Sequence, residues 1–142
     1  MRQSERGFSL LELMIVIVII LVITTIATTN YRTQLKLANE SAAVVELKSV
    51  HTAQMTYSAS ARTFGTIPDL IALKTLDPRF GDVVSGYRFS VKILEGGDYS
   101  VDAVPASSST GRYAYYAGSD GIVMYSTEES LAPAGEAGKP IK

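Results

Sequence analysis

Polarity along the chain falls into three patterns. The first seven positions, Met-Arg-Gln-Ser-Glu-Arg-Gly, are mostly polar. From Phe8 to Ile23 every position is apolar except Ser9 and Glu12, and Thr24, Thr25, Ile26 and Ala27 extend the run more weakly. Phe8 to Ala27 is about 20 residues, or roughly 30 Å as a helix, the thickness of a bilayer core. A single span in lipid must satisfy its own backbone hydrogen bonds, so a helix is expected. Arg2 and Arg6 favour a cytoplasmic start, which places everything after about Thr28 outside the cytoplasm.

The second pattern is helical and water-compatible. No Gly or Pro interrupts Tyr31–Ala61, and Ala, Leu, Glu, Lys and Gln are frequent. Two apolar stripes recur at helical spacing. One is Leu35, Ala38, Ala42, Val45 and Ala53. The other is Leu37, Val44, Leu47 and Met55, with His51 beside it. Two stripes predict two partners, a sheet on one side and neighbouring chains on the other. A helix from Phe8 to Ala61 would run roughly 80 Å. Arg62–Ser85 has loop character, with turn signals at Gly65, Asp77-Pro78 and Gly81 and a short helix near Pro68–Leu73.

The third pattern has period two. Tyr87, Phe89, Val91 and Ile93 alternate with Arg88, Ser90 and Lys92, and Glu95-Gly96-Gly97-Asp98 reads as a hairpin turn. Tyr99–Ala103, Arg112–Ala117 and Ile122–Ser126 complete a meander of three or four antiparallel strands, one face of which lies on the helix. The fold class is therefore α+β. Residues 127–142, rich in Pro, Gly and Ala, read as a flexible tail.

Composition narrows the chemistry. The formal net charge of −1 shows no basic footprint, so no direct nucleic-acid site is evident. With no cysteine and one histidine, His51, thiol nucleophiles, Cys-ligated metals, His clusters and a Ser-His-Asp triad lose support. No phosphate or dinucleotide loop is present, so neither an enzyme nor a cofactor is expected. Asp98, Asp102 and Asp120 sit on or near turns without an EF-hand pattern and read as solvated turn residues, and no metal site is assigned. Asn39-Glu40-Ser41 matches a glycosylation sequon, but in mid-helix, and Ser107–Thr110, within the polar loop Ala106–Gly111, is a candidate for O-linked sugar.

Glu12 is the exception to the apolar run. A secretory signal fits the basic start but lacks a small-residue cleavage site, and a plain signal anchor fits the hydropathy. Neither accounts for Glu12. A carboxylate in a membrane helix costs on the order of 2–3 kcal/mol, less near the interface. Its residue type leaves two readings: an interfacial group reaching toward headgroups, or a carboxylate awaiting a positive partner on a neighbouring chain.

Gly7-Phe8-Ser9-Leu10-Leu11-Glu12-Leu13-Met14 resembles the prepilin processing motif of type IV pilins and type II secretion pseudopilins. The likeness is strong over about Gly7–Tyr31 and general beyond it. It implies a basic leader, residues 1–7, cut between Gly7 and Phe8 by a membrane peptidase that also methylates the new Phe8 amine. It implies that Glu12 pairs with the N-terminal amine of an adjacent subunit during assembly. Residues 8–30 would be the membrane and polymerisation helix, 31–126 the globular headgroup and 127–142 the tail. The implied partners are copies of the chain, the peptidase-methyltransferase, an inner-membrane assembly machine and, before assembly, lipid. The implied location is the bacterial inner membrane, then a surface or periplasmic filament serving adhesion or motility. A pseudopilin of a type II secretion system is the alternative, and a monomeric membrane-anchored binding domain is the alternative of another class. One departure stands out. Many pilins carry Gly and Pro in this helix, whereas this chain has Val18, Leu21 and Thr29 there, which puts local melting of the helix in doubt.

Overall fold

The computed structural model describes residues 7–126 and 135–141, and within these the side chains of Thr28, Thr29 and Glu136 are left out. The leader expected over residues 1–6 and most of the expected tail, residues 127–134 and 142, lie outside the described residues. The chain divides into two units, residues 1–34 and 35–142.

Helix α1 spans Leu10–Ala61 without interruption. Ser9 precedes it, and its carbonyl accepts the first helical bond, from Leu13 N–H at 3.1 Å. The helix ends where Arg62 turns left-handed at φ 56° and donates its N–H to Ser58 O at 2.9 Å. Glycine is the usual residue for that cap. Here an arginine takes the conformation, at a steric cost of about 1–2 kcal/mol. Helix α2, Ile67–Ala72, starts after Thr66, whose N–H and hydroxyl both donate to the Asp69 carboxylate. Pro78–Gly81 forms a 3-10 turn, opened by Asp77 Oδ1 accepting the Arg79 N–H at 2.9 Å.

Six antiparallel strands follow in sequential order: β1 Val83–Val84, β2 Tyr87–Leu94, β3 Asp98–Pro105, β4 Tyr115–Gly118, β5 Val123–Tyr125 and β6 Lys139–Pro140. The four expected strands form the centre, and β1 and β6 add two residues each at the edges. A two-residue strand is too short to show alternation, so neither carries a sequence signal. Strand β4 starts later than the expected Arg112. The reason lies in distant partners: Arg112 N–H goes to Glu40 Oε1, and Tyr113 O accepts the Tyr87 hydroxyl. Those backbone groups serve side chains instead of a ladder.

In the second unit α1 lies on one face of the sheet. Ala43, Leu47 and Val50 meet Tyr87, Phe89, Val101, Ala103, Tyr115 and Val123, and Leu70, Leu76 and Phe80 close the side. The sheet-facing arc of α1 runs between the two predicted stripes. Leu35, Leu37, Val45 and Met55 stay exposed, while Glu40, Glu46 and Gln54 are buried. Each buried polar residue binds a loop. Gln54 clamps Gly65 with two bonds, Nε2 to Gly65 O at 2.6 Å and Gly65 N–H to Oε1 at 3.0 Å. Glu46 accepts from the Ser85 hydroxyl at 2.9 Å, and Asn39 donates to Thr110 O at 2.9 Å.

Glu40 makes the strongest of these ties. Its Oε1 accepts Arg112 N–H at 2.9 Å and Arg112 Nε–H at 3.0 Å, and its Oε2 accepts from the guanidinium at 2.7 Å. Burial opposes the charge of Glu40, but the hydrogen bonds and positive charge of Arg112 outweigh it and hold the carboxyl below its ordinary 4.5. The adjoining loop packs tightly, since a Cβ at Gly111 would overlap the Tyr87 hydroxyl.

Two predictions follow from this packing. Among the described residues, none before Ala43 belongs to the hydrophobic core. A fragment beginning at Tyr31 is therefore expected to be soluble and to show helix and strand by circular dichroism with one cooperative melt. A fragment that stays unfolded would place the apolar segment in the core. Arg112→Met should lower stability in urea by about 2 kcal/mol at pH 7, less than the roughly 3–5 kcal/mol of a fully buried pair because Arg112 is partly exposed. Since the Glu40 pKa is depressed on folding, the pair's contribution is complete above the unfolded-state value and vanishes as pH falls through the folded-state value. The deficit of the variant should shrink over that acid interval, and a pH-independent deficit would show that lost packing, not charge pairing, is responsible.

Candidate functional site

The candidate site is the start of α1 and the three residues before it. Gly7, Phe8 and Ser9 precede the helix, and Glu12 lies in its first turn. A carboxylate there faces the unsatisfied N–H groups and positive end of the helix dipole, a placement worth about 0.3–1 kcal/mol. The Ser-x-x-Glu spacing of Ser9 and Glu12, ending at the third helical position, signals that placement in the sequence. Glu12 has no ion-pair partner among the described residues.

The apolar side chains from Phe8 to Ile26 are exposed on every face of the helix, with 41–77% of their surface open. An 18-residue window within α1 reaches a mean hydropathy of 3.0, and none of it is buried. Thr24 and Thr25 return their hydroxyls to Ile20 O and Leu21 O at 2.7 and 2.8 Å, so the two polar positions do not break the apolar surface. A helix that is apolar all round needs lipid or other protein around it. Leu11, Met14, Ile15, Val18 and Ile19 line a shallow groove along this surface, spaced as one ridge-and-groove face of a helix.

Gly7 differs from Gly96, Gly97 and Gly135, whose surroundings are equally open, in that they are left-handed and it is not. A Cβ there would meet nothing within 4 Å, and its φ lies outside the left-handed range. Neither packing against the described residues nor backbone conformation calls for glycine at this position.

The remaining titratable groups serve the headgroup. His51 Nδ1 lies 2.6 Å from the buried Tyr99 hydroxyl. Burial, reinforced by Asp98 and Asp120, pushes that hydroxyl up to about 12, so it keeps its proton and can donate to the ring. Asp102 is buried against Lys92, at 2.7 Å, on the sheet face away from α1. Asp98 is held below its ordinary value by the Ser119 hydroxyl and the Tyr99 N–H, and Asp120 accepts the Ile122 N–H at 3.0 Å. Among the described residues no group of three or more His, Asp or Glu gathers where a metal ion could sit.

No curated protein and no solved structure matches this chain. The family model of the prokaryotic N-terminal methylation motif matches residues 2–28, the stretch that holds Gly7, Phe8, Glu12 and the apolar helix. The chain thus carries the methylation motif that is the signature of type IV pilins and pseudopilins.

Proposed function

We propose that this chain is a structural subunit of a type IV pilus, made as a prepilin, cleaved after Gly7, methylated on the Phe8 amine and polymerised through α1. The observation that carries this reading is a carboxylate at Glu12 in an otherwise unbroken and wholly exposed apolar helix, just after Gly7-Phe8. Before assembly, lipid covers the segment. On assembly, like helices replace lipid, and close packing of side chains supplies the attraction. The groove from Leu11 to Ile19 offers a ridge-and-groove face for such packing.

The same geometry supports a role for each site residue. Gly7 packs against none of the described residues, and a glycine there suits an outside agent, a peptidase that must approach the backbone closely. Cleavage would expose a positive amine at Phe8, one turn from Glu12. In a dry bundle that amine and the Glu12 carboxylate of a neighbour would attract strongly, and an unpaired carboxylate would be costly. The pair would therefore set the axial register of one helix against the next.

The expected mature chain begins with N-methylated phenylalanine at Phe8, and intact-mass and N-terminal mass spectrometry of membrane or filament material tests this. An intact Met1 start in assembled material, or a cut near Ala27, would reject the reading. Glu12→Leu is expected to leave insertion and cleavage intact while filament number drops by about tenfold or more, the effect of losing roughly 1.5–3 kcal/mol per charged contact. Electron microscopy at matched subunit level measures it. Unchanged filaments from a well-expressed Glu12→Leu chain would return Glu12 to the role of a helix-start or interfacial carboxylate.

A further inference from the structure

The two edges of the sheet are finished differently. At one edge β6 includes Pro140, which has no N–H to offer, and Ile141 N–H adds a bond to Val123 O at 2.9 Å. At the other, β1 is shorter than the strand it borders. It pairs only with Tyr87 and Arg88, whereas β2 continues to Leu94. The neighbours of β2 show which way its backbone groups point. On the β3 side, Gly86 O accepts from Ala106 N–H, and Leu94 O accepts from Gly97 N–H. Backbone groups alternate sides along an antiparallel strand. Arg88, Ser90, Lys92 and Leu94 therefore turn theirs to β3, and Phe89, Val91 and Ile93 turn theirs outward. Among the described residues nothing takes the outward N–H and C=O of Val91 and Ile93.

This open lane is bounded at both ends. Continuing the β1 register puts Asp82 opposite Phe89, and the turn after Leu94 ends the strand. Ser90–Leu94 is left without a strand beside it. Access is good, since Ser90, Lys92, Ile93 and Leu94 are exposed. A charged side chain commonly guards such an edge. Lys92 does not, because its ammonium leans to Asp102 on β3, at 2.7 Å. Ile93 and Leu94 meanwhile leave 44% and 41% of their surface open.

We propose that this edge pairs with the same edge of a second copy, β2 against β2, antiparallel about a two-fold axis at Lys92. Each copy admits a strand only beside Ser90–Leu94. The register that fills both lanes sets Ser90 opposite Leu94, Val91 opposite Ile93 and Lys92 opposite Lys92. Val91 and Ile93 then exchange both of their outward hydrogen bonds across the axis. On the α1 side of the sheet, Val91 of one copy covers the exposed Ile93 of the other. On the far side each lysine keeps its own Asp102, which offsets the cost of like charges set opposite. The axis is normal to the sheet, so the second α1 runs against the first. The contact thus differs from any packing of like-directed helices. It rests on the β2 edge alone and not on the cleavage or polymerisation proposed above. If the chain polymerises as proposed, the contact falls between filaments that run in opposite directions.

The chain has no cysteine, so introduced thiols report on this contact alone. Ser90→Cys and a larger, tagged Leu94→Cys, both full-length and in mild detergent, are oxidised separately and as a mixture. Both positions are exposed and outside the core. The mixture is expected to give a mixed disulfide dimer, because directly opposite residues have Cβ atoms about 4.5–5.5 Å apart. Either variant alone should give about tenfold less, since each residue then lies roughly 13 Å along the lane from its copy, beyond disulfide reach. Ile93→Pro, added to both chains, removes an outward N–H and no bond to β3. It should lower the mixed dimer by about tenfold or more. Circular dichroism and melting temperature check that it folds. If it does not, the contrast between the mixture and the separate variants decides. No disulfide in the mixture, equal disulfide in either variant alone, or an unchanged yield with folded Ile93→Pro would each overturn the proposal.

Discussion

An α-helix satisfies its backbone with bonds that never leave the segment, and this freedom underlies both units of the molecule. From Leu10 to Ala61 each interior N–H finds its carbonyl four residues back, whatever surrounds the side chains. The surroundings can therefore change along one helix. In the first stretch the side chains are apolar on every face and none is buried. In the second, one arc packs on a sheet and the opposite arc carries Ser49, Thr52 and Thr56, whose hydroxyls return to Val45 O, Lys48 O and Thr52 O.

The sheet and its loops are tied to α1 by polar residues as well as by apolar area. Asn39, Glu40, Glu46 and Gln54 each bond a different loop, at Thr110, Arg112, Ser85 and Gly65. These bonds are made in buried or half-buried places, where an unmade partner costs about 1–3 kcal/mol. They fix which loop meets which turn of the helix, while Leu47, Val50, Val101 and Tyr87 supply non-directional burial. Glu40 has a further consequence. Holding Arg112 in place stacks the guanidinium over Tyr113, 5.1 Å from the ring centre.

What could be read from the chain divides by the range of the physics. The apolar run, the candidate Gly7-Phe8 junction, Glu12, the end of α1 at Ala61 and the alternating strands around Gly96-Gly97 are local, each carried by neighbouring residues and a fixed period. The α+β class followed from their order. Tertiary structure decided the rest. Gln54 and Glu40 look like solvent-facing residues until the loops that bind them are in place. Arg112 looks like the start of a strand until its N–H is claimed by Glu40 and the next carbonyl, of Tyr113, by Tyr87. Strands β1 and β6 are too short to show a period and exist only because β2 and β5 offer open edges. Tyr115, Tyr125 and Lys139 are far apart in sequence, and only antiparallel register sets them in one row. Local periodicity is encoded residue by residue, whereas a buried polar bond or a cross-strand row needs two distant segments to be folded together before either has a partner.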